Sequence, residues 1–397
     1  MELSRKAMAI QGSVTLAIDA KAKALKAQGK DVIGFGAGEP DFPTPEYICN
    51  AAKAALDSGI TKYTPVGGTI ELRKAICDKL AADNGLNYTP EQIVVSCGAK
   101  HSIYNILQTI CNPGDEVIIP GPYWVSYPEM VKMADAVPVI IFAPEESNFK
   151  VTAQQIKESI TSKTKAIIIN SPNNPNGFAF NEAELRAIAD VCVEAGIFII
   201  SDEIYEQLLY DGRKHVSIAS FGEQVKKQTI VVNGLSKSHA MTGWRIGYTA
   251  SELNIAKAMT NFQSQCTSNP NSIAQYASYI ALTQPCEEMA DMRAEFEKRR
   301  NFLAKRINEI NGLSCVLPDG AFYIMMNISG VMGKTYGGKT IANSMDFTEA
   351  LLDSKLTAVV PGVGFGVEGF VRLSYATSMD NISRGIDRIE EFVKEMV

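Results

Sequence analysis

Between about residue 90 and residue 250 the chain alternates short apolar runs with longer stretches whose apolar positions recur at helical spacing. The runs Gln92–Ser96, Glu116–Ile119, Val137–Phe142, Ala166–Asn170, Phe198–Ser201, Thr229–Val232 and Arg245–Ala250 read as strands. Lys100–Ile110 and Glu182–Glu194, and earlier Glu46–Leu56, read as helices. Strands that are apolar almost throughout are buried on both faces. When helices separate them, the expected architecture is α/β, with a mostly parallel seven-stranded sheet flanked by helices.

The pattern changes after about residue 285. Pro285–Ile310 is long, charged and helical in spacing, and free of Gly and Pro beyond its first residue until Gly312. It is followed by strand candidates Ala321–Asn327, Ala358–Val360 and Val371–Ser374, with a Gly- and Lys-rich loop at Ser329–Thr340. This predicts a smaller α+β domain. Val14–Ala27 reads as a helix packing beside it. The expected division is an N-terminal segment (1–45), a large domain (46–285) and a small C-terminal domain (286–397), which suits a chain of 397 residues.

Composition narrows the function by exclusion. A net charge of −6 offers no basic field for nucleic acid. No apolar run approaches membrane-spanning length, and the first residues lack the form of a signal peptide, so a cytoplasmic protein is expected. The eight cysteines form no C-x-x-C pair and there are only three histidines, so no metal site is expected. The cysteines read as buried free thiols in a reducing compartment. Cys97, which adjoins a glycine loop, reads more readily as a small buried residue than as a reactive one.

Polar residues gather where the strands end, which is where ligands sit in open α/β sheets. Cys97-Gly98-Ala99-Lys100 opens a helix and presents N–H groups to an anion. Pro120–Trp124, Asn170–Gly177, Ser201–Tyr205 and Ser236-Lys237 follow later strands. Taken singly, each has an ordinary explanation as cap, turn or core aromatic. Their repetition at one sheet edge points to a shared site. A lysine there, with its pKa lowered by burial, attacks an aldehyde to form a Schiff base. The set then suits pyridoxal 5′-phosphate (PLP). Lys237 would form the imine and shuttle the proton, and Asp202 would protonate the pyridine. Tyr205 and Asn174 would serve the ring oxygen, and Trp124 would lie against the ring. The phosphate cup would be Gly98, Ala99, Lys100, Ser236 and Arg245.

These stretches carry a resemblance. Gly36–Phe42, Thr61-Lys62-Tyr63, Tyr123–Pro128, Ser171–Pro175, Ser201–Glu206, Ala240–Tyr248 and Val371–Ala376 resemble the class I PLP-dependent aminotransferases of fold type I. Among them the chain is most similar to the Thermus-type bacterial aspartate aminotransferases. The resemblance spans about residues 13 to 380. It implies a homodimer with shared active sites, in which Tyr63 reaches the other subunit's PLP phosphate. It also implies that Arg372 holds the substrate α-carboxylate near Gly38, Trp124 and Asn174, that Lys100 meets a side-chain carboxylate, and that Thr15 lies near the distal end of the substrate. A guanidinium suits the first of these roles, because it grips a carboxylate in bidentate fashion.

Three departures from the family pattern stand out. Gly234 occupies a position that is often Ser or Ala, with the possible loss of a phosphate hydrogen bond. Gln11 stands where relatives that use prephenate often have lysine. The Ser329–Thr340 loop looks longer and richer in Gly than usual, which would affect closure over the substrate. The expected activity is PLP-dependent ping-pong transfer of the amino group of L-aspartate to 2-oxoglutarate. The alternatives are an aromatic or prephenate aminotransferase, or a PLP lyase on the same fold. A non-catalytic regulator is disfavoured, since the chain has no room for a DNA-binding domain.

Overall fold

A computed structural model describes residues 2–10, 12 and 14–397. Its centre is a seven-stranded sheet built from Ile93–Ser96 (β1), Glu116–Gly121 (β2), Val137–Phe142 (β3), Thr164–Asn170 (β4), Phe198–Asp202 (β5), Thr229–Gly234 (β6) and Gly247–Ala250 (β7). The spatial order is β1-β7-β6-β5-β4-β2-β3, and all but β7 run parallel. Each strand lies where the apolar pattern placed it, with small shifts at the ends. Strands β1, β6 and β7 are buried throughout, as expected for a sheet covered on both faces. Ile106, Val117, Ile168, Ile200 and Val232 form one core on the sheet, while Ile118, Ile167, Ile169, Ile199 and Leu185 form another.

The 22-residue helix Glu287–Asn308 leads to a second sheet of three antiparallel strands, Val360–Pro361, Phe370–Ser374 and Tyr323–Asn327. This sheet has its own core around Phe296, Leu303, Ile324, Phe347, Leu373 and Phe392. Tyr205, Ile204 and Leu208 belong to that core although they lie on the turn after β5, so the two sheets meet there. Near the N-terminus, Ile33–Gly34 pairs in parallel with Thr357–Ala358. Ile18 and Ala22 of helix Val14–Ala27 pack with Leu352 and Ala358.

Two expectations need correction. The segment Ser329–Thr340 is not an open loop. It forms a short hairpin, Thr335–Tyr336 with Lys339–Thr340, turned by Gly337 and Gly338 at positive φ. The Tyr336 ring packs 4.5 Å from Phe392, and Thr335 exchanges backbone hydrogen bonds with Val397. An apolar anchor and the paired chain end therefore hold this segment to the C-terminal helix Met379–Lys394. The cysteines are free, but only Cys192 and Cys315 are buried; Cys266 is exposed. No helix among the described residues is long and apolar enough to cross a membrane.

Candidate active site

The carboxyl ends of β1, β4, β5 and β6 open toward the antiparallel sheet, and most of the expected residues converge there. Lys237 follows β6 by a short turn and is half-buried. Its Nζ donates to the carbonyl of Gly38. It lies 5.8 Å from the Tyr205 ring and 5.7 Å from that of Phe322. Burial pulls its pKa down to about 8; Glu39 and Asp202 oppose the shift, and Arg245 and Arg372 reinforce it. Residues from five separate segments therefore act on one amine.

Asp202 ends β5 and is 3% exposed. The Tyr127 hydroxyl donates to it at 2.6 Å, and the Ile204 N–H at 3.3 Å. Burial raises its pKa to about 6 despite those bonds. Tyr205 shares a 2.9 Å hydrogen bond with Tyr323, and burial raises its hydroxyl well above the ordinary range. Arg372 is 2% exposed; it donates to Asn174 Oδ1 at 3.0 Å and to the Gly36 carbonyl at 2.9 Å. Its guanidinium lies 4.4 Å from the Tyr323 ring, and its Nε has no partner among the described residues. Asn174 is itself fixed by its N–H donating to Asn170 Oδ1 at 2.8 Å.

At the glycine loop, Arg245 folds over Gly98. It donates to the Thr242 carbonyl at 2.8 Å and to the Cys97 carbonyl at 3.3 Å. A Cβ on Gly98 would approach the Arg245 Cζ to 2.8 Å, and the φ of +89° at Gly98 is one that favours glycine. The expected cradle is smaller than the sequence indicated. The Gly98 N–H is engaged by the Ser96 carbonyl at 2.8 Å, which leaves Ala99 and Lys100 as the helix-opening donors. The Lys100 ammonium lies 4.8 Å over the Trp124 ring, and burial followed by Arg245 lowers its pKa. Ser236 is buried beside Lys237.

Two expected residues stand apart. Tyr63 is 91% exposed and makes no side-chain hydrogen bond or ring contact among the described residues. The Thr15 hydroxyl is buried without a hydrogen-bond partner among them, and no contact joins it to the cleft. Gln11 lies outside the described residues. Sequence reasoning passed over Tyr127, Tyr323 and Glu39. Tyr127 had a usable signal, since it lies in the same Tyr123–Pro128 stretch as Trp124, whose indole its ring meets edge-on at 5.3 Å in the fold. Tyr323 had none, because only the packing of the two sheets brings it to Tyr205.

An amine of depressed pKa, a buried carboxylate and a cluster of cations at the switch edge of an α/β sheet define an enzyme of amino-group chemistry. Residues 30–389 match the family model for aminotransferase class I and II, and the chain belongs to that family. It is 51% identical over 395 residues to an aspartate aminotransferase of Bacillus subtilis, covering 100% of both chains. It is 46% identical to an aspartate/prephenate aminotransferase of Cereibacter sphaeroides over 96% of each chain. Among solved structures, the aspartate aminotransferase of Rhizobium meliloti superposes with a TM-score of 0.97 at 41% identity, over 100% of both chains. That of Thermus thermophilus with maleate gives 0.92 at 41% identity, over 99% of this chain and 100% of that one. The chain is a transaminase.

Proposed function

We propose that this enzyme moves the amino group of L-aspartate to 2-oxoglutarate, using PLP held on Lys237. One observation carries the reading. Lys100, Lys237, Arg245 and Arg372 surround one cleft, and none forms an ion pair with a carboxylate among the described residues. Clustered, partly desolvated cations are costly unless anions arrive to match them. A phosphate and a dicarboxylate would do so. The Thermus relative is described with maleate, a dicarboxylate.

The residues fit PLP on independent grounds. The tight Gly98–Arg245 approach leaves a guanidinium and the Ala99 and Lys100 N–H groups for a phosphate, with Ser236 adjacent. Asp202, buried and reluctant to ionise alone, suits a cationic ring N–H. Tyr205 and Asn174 suit the ring oxygen, and Trp124 the ring face. When bound, PLP supplies an aldehyde carbon for condensation with amines and an electron-withdrawing ring that acidifies the substrate Cα. Lys237, neutral in appreciable fraction near pH 8, would hold PLP through Nζ and would carry the substrate Cα proton on the same atom. Arg372 grips the α-carboxylate, with Asn174 holding its guanidinium in plane. Lys100 receives the side-chain carboxylate. Tyr63, fully presented to solvent here, reaches the phosphate of a second copy, so the working enzyme is a homodimer with shared sites acting in the cytoplasm. Thr15 would border the distal end of the substrate. Residues 46–285 form the PLP-binding domain, and residues 1–45 pack with the small domain, 286–397.

The test is a half-reaction screen: each amino acid is added to the PLP-loaded protein and conversion of the cofactor to its amine form is followed by absorbance. Aspartate and glutamate should convert it fastest. No conversion with either would overturn the reading. Because several relatives are named for prephenate as well as aspartate, prephenate is then offered to the amine form as acceptor.

A further inference from the structure

The turn after β5 has two faces. Asp202 and Tyr205 serve the cleft, whereas Glu203 and Glu206, 1% and 7% exposed, belong to a separate buried network. Glu203 accepts from Ser201 Oγ at 2.8 Å, from Ser217 Oγ at 2.7 Å, and pairs with His215 Nε2 at 3.0 Å. Glu206 accepts from Lys79 Nζ, from Asn233 Nδ2 at 2.8 Å and from Asn84 Nδ2 at 2.7 Å. With His215, the two carboxylates place ligand atoms within 4.8 Å of one another, a spacing that would suit a divalent cation. The place of that cation is already taken. Every carboxylate oxygen has a donor, and Lys79 supplies the positive charge. Burial works against charge on His215, but Glu203 and then Glu206 outweigh it and raise its pKa. Burial likewise works against charge on Glu206, and Lys79 followed by His215 outweighs it. The Lys79 ammonium and the His215 imidazole thus face the two glutamates.

What this network joins gives it a purpose. Lys79 and Asn84 come from helix Ile70–Asn84, and Asn233 lies on β6, four residues before Lys237. Beside the Lys237 loop, whose Leu235 packs into a core, an open pocket of about 330 Å³ is lined by Lys79, Glu206, Gly234, Leu235, Ser238 and His239 among others. Where close packing is missing, position depends on polar links. We propose that Glu206 is a positioning residue: bridging Lys79, Asn84 and Asn233, it holds the Tyr205-bearing turn in register with the strand that delivers Lys237. The inference rests on the reading of Lys237 and Tyr205 given above.

Asn233→Ala tests it without altering any charge, and Glu206→Gln tests it by removing the bridge's charge. Both variants are loaded with PLP. The pH titration of the lysine-bound cofactor's absorbance, kcat and KM, and the melting curve are then recorded. A misplaced Tyr205 should shift the titration midpoint by roughly half a pH unit or more and lower kcat about tenfold, with KM within about threefold of wild type. A folded Asn233→Ala protein with the wild-type midpoint and kcat overturns the proposal, whatever its melting temperature. If Glu206→Gln does not fold, Asn233→Ala decides alone; if that fails too, Asn233→Ser is read in the same way. A wild-type protein that binds no PLP through Lys237 refutes the function reading itself, whereas a normal wild type with unaffected variants refutes only the brace.

Discussion

At the scale of single residues, the cleft holds groups whose environments oppose their natural charge. Asp202 has a folded pKa of about 6 against an ordinary 3.8. A raised carboxyl holds its proton in the folded state after the unfolded chain has released it. Its favourable contribution is therefore complete below the unfolded value and lost as pH rises through about 6. Two pH units correspond to about 3 kcal/mol. Cofactor-free protein should accordingly lose melting temperature between about pH 4 and pH 6, and Asp202→Asn should remove that slope; parallel slopes in the two proteins would refute it. With PLP present, the same variant should lose about a hundredfold or more in kcat, because a neutral amide cannot hold the ring's charge. Lys237 behaves in the opposite sense. Its pKa is depressed to about 8, so the reactive neutral amine should reach its plateau near that pH. Capture of PLP by the cofactor-free protein, followed by absorbance, should rise about tenfold per pH unit below 8 and level off above it. A rate still climbing at pH 10 would show an unshifted lysine. In the proposed reading two of the other cations, Arg372 and Lys100, would divide the substrate. Arg372→Ala should impair every amino acid, whereas Lys100→Ala should impair aspartate and glutamate by about ten- to a hundredfold and spare neutral substrates. Equal losses across all substrates would assign Lys100 to the cofactor.

At the scale of elements, strands and helices follow the apolar pattern because burial on both faces demands it. What the local pattern does not carry falls where one element meets another. Gly234 looked like a lost hydrogen-bonding side chain. In the fold, a Cβ there would meet the Ile246 carbonyl at 2.9 Å and the Gly247 Cα at 3.1 Å, so the close approach of β6 and β7 requires glycine. Gly234→Ala should therefore destabilise by roughly 1–3 kcal/mol, measurable as an earlier urea midpoint. An unchanged midpoint would show that the strands can part. The hairpin at Thr335–Thr340 was hidden for a similar reason, since its anchors, Phe392 and Val397, are remote in sequence.

At the scale of the whole molecule, the two sheets close on each other through Tyr205–Tyr323 and Arg372–Asn174, and the cleft lies between them. Tyr63 is the expected contributor that a single chain leaves outside. It is carried by a segment that is itself firmly held: buried Gln263 donates to the Val66 carbonyl at 2.8 Å, and Gln275 accepts from the Thr69 N–H at 2.9 Å. A rigid arm ending in an exposed aromatic suits delivery to a second copy. Mixing Lys237→Ala chains with Tyr63→Phe chains, each strongly impaired alone, should restore about a quarter of wild-type activity at equal ratios, if half the dimers are hybrids with one sound site each. A fully active monomer by light scattering would exclude shared sites.

Apolar periodicity and strand-end placement, both local properties of the chain, sufficed for the α/β sheet, the succession of its elements and the strand ends that carry Lys237, Asp202 and Asn174, whereas Arg372, inside a strand, was legible only through the family resemblance. Which groups perturb one another emerges from the folded chain alone: the Tyr127 bond to Asp202, the pairing of Tyr205 with Tyr323, the engaged N–H of Gly98 and the brace around Glu206. Those depend on distances between residues far apart in the chain, and on the loss of water around them. Charge and hydrogen bonding take their strength from that loss, and no local pattern encodes it.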